Sequence, residues 1–153
     1  MRNWAVLDAN LLLLLIVGRA APPIIARHKR LQHYRTDDYD SLVRMLGLFD
    51  EIIIVPQVLA EVSNLGRHIR DPDRSSVFGA FGRTIAASLE QWIPSASVIH
   101  EDYFQAFGLT DAVLIWLCLQ ESDDRTCTLV TSDQPLADRA ASLGCRVLDY
   151  RDC

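Results

Sequence analysis

The sequence predicts an α/β fold in which a mainly parallel central sheet is covered by helices on both faces. Three observations carry that reading. Short apolar runs recur at residues 4–7, 51–55, 126–131 and 145–148, the pattern of strands buried on both sides. Segments with helical spacing separate them, as crossover helices separate parallel strands. With 153 residues, 50% of them hydrophobic and 23% charged, the chain can bury about two thirds of its extended surface.

The first strand ends on Asp8, and Asn10 is a suitable N-cap for the apolar helix expected over 11–18. The apolar run 11–17 is well short of the ~18 residues a bilayer span needs. Asp8 also separates it from the lone Arg2, so neither a membrane segment nor an export signal is expected. Pro22 and Pro23 open a basic stretch in which 24–34 reads as a short helix and 35–38 as a link. Leu42, Val43, Leu46 and Phe49 have helical spacing, and a buried strand follows at 51–55. Pro56 suits the first turn of a helix whose apolar face is Val58, Leu59, Val62 and Leu65.

Val77, Phe78, Phe81, Ile85 and Leu89 predict the next helix, with Trp92 and Ile93 closing its core side and Pro94 ending it. Tyr103, Phe104 and Phe107 give a short helical turn before Gly108. Thr110 is then an N-cap for an apolar helix that carries Asp111, runs to Leu119 and belongs at the centre of the core. After the strand at 126–131, Pro135 opens a helix through Leu143, Gly144 closes it, and a last strand spans 145–148. No repeat or composition break divides this order, so 1–153 reads as one domain.

Cys118, Cys127, Cys145 and Cys153 show no zinc or redox spacing, and the first two lie in apolar runs as small buried hydrophobes. A reducing cytoplasm is the expected compartment. The net charge of -5 argues against long-range attraction to nucleic acid, although acids gathered at a cation site would localise and partly neutralise that excess. Arg27, His28, Lys29, Arg30, His33 and Arg35 fall close together, either as a solvated face or as a patch for phosphate.

Four acids stand where chemistry is expected. Asp8 and Asp133 each end an apolar strand, and open α/β sheets bind ligands at such carboxyl ends. Asp111 begins an apolar helix, where an unpaired carboxylate costs several kcal/mol unless a cation answers it. Glu61 lies with Gln57 and Asn64 opposite the apolar stripe of its helix. Each has an ordinary alternative as turn former, helix cap or solvated residue. Drawn into one cleft, the four would raise one another's pKa or take up cations.

Hard carboxylate oxygens hold Mg2+ or Mn2+ with water positions left open, and four of them suffice for one or two ions. Such an ion lowers the pKa of a coordinated water and offsets charge at phosphorus and at the leaving oxygen. A divalent-metal site acting on phosphate is the leading reading. Rival motifs are missing: there is no glycine-rich phosphate loop, no zinc spacing among His28, His33, His68 and His100, and no serine in a nucleophile elbow. Asp8 also lacks the second aspartate, two residues on, of haloacid-dehalogenase-type phosphotransferases.

The blocks Asp8-Ala9-Asn10, Val58-Leu59-Ala60-Glu61-Val62, Gly108-Leu109-Thr110-Asp111-Ala112 and Leu129-Val130-Thr131-Ser132-Asp133, in this order, resemble the PIN-domain family. The resemblance covers nearly the whole chain and implies a PIN-like three-layer fold with Mg2+- or Mn2+-dependent endoribonuclease activity. Small single-domain members are similar to VapC-type ribonuclease toxins, which are held inactive by an antitoxin protein and commonly form homodimers. On this reading Asp8, Asp111 and Asp133 bind the metal and Glu61 completes its shell directly or through water. Asn10, Thr131 and Ser132 support them from behind, and Arg27, Lys29, Arg30 and Arg67 contact RNA phosphates from outside. The rival expectations are a non-catalytic nucleic-acid or protein-binding module on the same fold, and a metal-dependent DNA nuclease or phosphatase.

Overall fold

The computed structural model describes residues 1–120 and 122–152; Cys153, read above with the other cysteines, lies outside the described residues. Among these residues, five strands form one all-parallel sheet: β1 (Arg2–Leu7), β2 (Glu51–Ile54), β3 (Leu89–Glu90), β4 (Arg125–Thr131) and β5 (Arg146–Asp149). Their order is β3-β2-β1-β4-β5. The helices are α1 (Ala9–Ala20), α2 (Thr36–Leu46), α3 (Pro56–Gly66), α4 (Asp73–Ala87), α5 (Asp102–Leu119) and α6 (Gln134–Ser142).

The chain leaves β1 towards β2 and β3, then crosses back to β4 on the other side of β1 and moves outward to β5. Crossovers between parallel strands are right-handed as a rule, and for this strand order that rule puts α1 to α4 over one face and α5 and α6 over the other, giving three layers. The packing agrees for most of the chain: α1 lies against α2, α3 and α4, and α5 and α6 lie against β4 and each other, while α3 also touches α5. The apolar run predicted at 11–17 is the centre of the first helical layer, fully withdrawn from solvent.

Gly18 shows how tightly that layer closes. A Cβ placed there would stand 2.1 Å from the Tyr39 ring, closer than any relaxed contact. Gly18→Ala is therefore expected to cost about 1–3 kcal/mol in urea unfolding. An alanine favoured only by helix propensity would instead gain about 1 kcal/mol; a gain would show that Tyr39 moves aside freely.

Several boundaries differ from the sequence reading. Asp8, not Asn10, caps α1: it is the last extended residue, and the Leu11 amide donates to its Oδ1 at 2.8 Å. The stretch 24–34 is not one helix but two 3-10 turns, Pro22–Arg27 and Lys29–Leu31, parted by extended His28. Leu89 belongs to the edge strand β3, because extended Ser88 ends α4. Trp92 is 80% exposed and closes nothing, while Ile93 beside it is buried.

The helix expected to start at Thr110 is joined to the preceding turn as α5, and the break falls at Gly108, whose φ of 81° and ψ of 176° suit glycine alone. Among the described residues α5 is the one helix long and apolar enough to cross a membrane. Its interruption at Gly108 and the complete burial of Ala112 to Ile115 within the core are those of an interior helix. Cys118 and Cys127 are buried as expected, and their sulfur atoms lie 3.5 Å apart across the contact between α5 and β4.

Candidate functional site

Leu7 is in register with Val130, so the residues that follow, Asp8 and Thr131, meet at the carboxyl edge of the central strand pair. The connections leaving β1 and β4 diverge to opposite sides there, and such a switch point opens a crevice in the edge of the sheet. The topology thus selects the place that Asp8 and Asp133 mark in the sequence.

Asp8 is only 5% exposed. Burial is the largest influence on its carboxyl and pushes its pKa above the ordinary aspartate value. Hydrogen bonds from Thr131 and from the Leu11 and Ser132 amides oppose that rise in part, and the charge of Asp133 adds to it. The Thr131 hydroxyl donates to Asp8 Oδ2 and accepts from the Asp133 amide at 3.0 Å. One buried hydroxyl therefore ties the two strand ends together.

Asp133 uses Oδ1 to cap α6, accepting from the Leu136 amide at 3.1 Å. Both strand-end aspartates are helix caps, the ordinary role open to them. A cap occupies one or two of about four lone-pair sites on a carboxylate, so ligand binding at the remainder is compatible with it.

Asp111 is half-buried on α5, and its carboxyl is pushed up to about 7. Burial is the first cause, followed by the charges of Asp8, Glu61 and Asp133. The four acids singled out in the sequence thus lie within one electrostatic field, delivered by β1, α3, α5 and the end of β4. The neighbouring side-chain charges that act on Asp111 are all negative. Even so, among the described residues no three acidic, histidine or cysteine side chains stand as a finished ligand shell.

Both facts follow from a cluster wider than one coordination sphere. Glu61 and Asp133 are exposed at the rim of the crevice, whereas Asp8 is buried within it. An all-oxygen donor set with unbalanced negative charge suits a hard divalent cation such as Mg2+ or Mn2+.

A cavity of about 570 Å³ adjoins the crevice and is lined by Asn10, Ser132 and Asp133 together with Arg30, His33 and Tyr34. The Tyr34 hydroxyl and Ser132 Oγ share a hydrogen bond of 2.6 Å, and Tyr34 packs edge-on against Tyr150 at 6.3 Å. Tyr150 donates to the carbonyl of Asp38, and both residues line the same cavity. Sequence reading missed Tyr34 and Tyr150, which come from the long α1–α2 connection and the end of the described chain.

A further strand-end acid, Asp149, was also missed, although Leu148-Asp149 repeats the apolar-run-then-aspartate pattern of β1 and β4. Asp149 is in register with Thr131, but the Arg151 Nε bonds it at 3.0 Å and holds its pKa below the usual range. Its charge is already answered by Arg151.

Arg27, Lys29, Arg30 and Arg67 do gather, but around a second cavity of about 1170 Å³ that contains none of the four acids. Of these residues Arg30 alone also lines the cavity beside Asp133. Arg27 is engaged with Asp73, at 2.9 Å. No protein-family model matches the chain, and no curated protein matches it either.

Proposed function

We propose that the chain is a Mg2+- or Mn2+-dependent endoribonuclease with a PIN-like site at the edge of its parallel sheet. The observation that carries this reading is Asp111, a half-buried carboxyl whose neighbours Asp8, Glu61 and Asp133 leave it in an uncompensated negative field. Asp8, Asp111 and Asp133 would hold the ion, with Glu61 completing the shell directly or through water. When bound, the cation supplies the charge that makes water nucleophilic and that steadies the phosphate as its ester bond breaks.

The chain's own residues supply position. The Thr131 hydroxyl fixes one oxygen of Asp8 and the backbone of Asp133, so the two donors stay aligned. Ser132 and Tyr34 present a hydroxyl pair on the cavity wall, within reach of a phosphate oxygen entering beside Asp133. Exposed Asn10 offers an amide at the same rim. Exclusion of water is incomplete on this open side, which suits a polymeric substrate.

The test pairs cleavage with stability. Single-stranded RNA is expected to be cut in Mn2+ and left intact in EDTA, with single-stranded DNA and a small phosphate ester as comparison substrates. Saturating Mn2+ should raise the melting temperature by about 5–10 °C, because ~2.7 kcal/mol of stabilisation accompanies a hundredfold excess over Kd. No cleavage together with no thermal shift would sink the reading. A shift without cleavage would favour the non-catalytic module. The same proposal makes the protein a cytoplasmic homodimer restrained by an antitoxin protein, which copurification at native expression levels would test.

A further inference from the structure

We propose that the cavity formed by residues 24–32 and 64–73 binds the phosphodiester backbone of RNA to one side of the cleaved bond, an inference that rests on the acid crevice being a nuclease site. Arg27, Lys29, Arg30, Arg67 and Arg70 line it. Five of the chain's 15 lysines and arginines thus share one concave surface on a protein of net charge -5. Basic residues gathered in a hollow, against the overall sign, focus a positive potential that scattered ones would lose.

The two acids inside the cavity offset two of these five charges and leave it positive by three. Asp73 accepts from Arg27 Nη2 at 2.9 Å and from its Nε at 3.1 Å, and Asp71 accepts from the Ser75 hydroxyl at 2.6 Å and amide at 3.1 Å. Lys29, Arg30, Arg67 and Arg70 are exposed and hold no ion pair among the described residues. Four cationic side chains therefore have no internal partner to explain their clustering.

Position identifies the kind of anion. Arg30 borders both cavities, so the basic surface continues to the rim occupied by Ser132 and Asp133. A linear polyanion can follow that track from the cleavage point outward, whereas a compact anion would use only part of it. The turn that presents Arg30 is fixed: its amide donates to Nδ1 of buried His28 at 3.1 Å. No Phe, Tyr or Trp is among the described residues lining this cavity. Exposed His68 is the one aromatic ring in the lining that a base could reach, so the groove grips chiefly backbone and reads little sequence.

The test is anisotropy of a fluorescein-labelled 20-nucleotide single-stranded RNA in EDTA, where cleavage does not enter. Arg67→Glu/Arg70→Glu is expected to weaken binding by ~10-fold or more at low salt. The slope of log K against log salt should become shallower by about 1.4, at about 0.7 per lost phosphate contact on a single strand. Arg67→Ala/Arg70→Ala should move both quantities the same way by less, with thermal melts confirming that both variants fold. Single-stranded DNA of the same sequence should respond equally.

Unchanged affinity and slope in both variants would overturn the groove even if the protein cuts RNA. Tighter binding of poly-glutamate than of RNA would overturn it in favour of an acidic protein segment. Loss of RNA binding in the variants of a protein that cleaves nothing would support the groove and sink the nuclease reading alone.

Discussion

Asp111→Asn is expected to lower Mn2+-dependent RNA cleavage by ~10³-fold while making the ion-free protein more stable at pH 8. The first half follows from removing one donor and one negative charge from the proposed ion site, where several kcal/mol of transition-state stabilisation is at stake. The second half follows from the same carboxyl's surroundings. Burial and the charges of Asp8, Glu61 and Asp133 raise its pKa to about 7 in the folded chain, against an ordinary value of 3.8.

Between those limits the folded state keeps a proton that the unfolded state has released, so stability falls as pH rises from about 4 to about 7. Above that window the charged form costs about 2 kcal/mol for a group that solvent partly reaches. Asparagine escapes this cost, and the gain should appear as ~4–8 °C in melts at pH 8 in EDTA and shrink towards pH 4. Loss of stability at both pH values, or cleavage close to wild type, would remove Asp111 from the site.

Thr131→Val is the second large effect. Its hydroxyl is buried, donates to Asp8 and accepts from the Asp133 amide, so valine fills the space but strands a carboxylate oxygen and an N–H together. Leaving buried polar groups unpaired costs about 1–3 kcal/mol each, and a total of roughly 2–4 kcal/mol is expected in urea unfolding. Activity should fall by ~10–100-fold, as when the support behind a metal ligand is removed. Thr131→Ser keeps the hydroxyl and should recover most of the activity. If valine and serine behave alike, the hydroxyl bridge contributes nothing.

The central sheet was legible because β1 and β4 carry consecutive buried apolar residues, and β2 ends on them, and that requires two covering layers. β3 left no such mark: it is two exposed residues on the sheet edge, and Leu89 had the spacing of the preceding helix. Capping was legible in kind but not in place, since Asp8 and Asn10 are both good caps and only the end of β1 decides between them. Gly108 was read as the end of a turn, when its backbone angles let α5 restart and set Asp111 in the crevice.

The positions of the four acids follow from strand ends and helix faces, so their shared neighbourhood could be anticipated. How closely they approach could not, because side-chain reach depends on what buries each one. Asp8 is locked by Thr131, while Glu61 stays in solvent. The hydroxyl of Tyr34 on Ser132 joins residues 98 positions apart, and no local pattern announces it.

The place of β1 in the middle of the sheet has a consequence for biosynthesis. Its neighbour β2 emerges from the ribosome soon after it, but its neighbour β4 does so only once residues 125–131 are made. Until then Asp8 has no Thr131 to hold it and no Asp133 beside it, and the nascent chain carries no assembled crevice. A nuclease of the kind proposed would therefore act only once residue 133 has been translated and folded, which would spare the message during the earlier part of its synthesis.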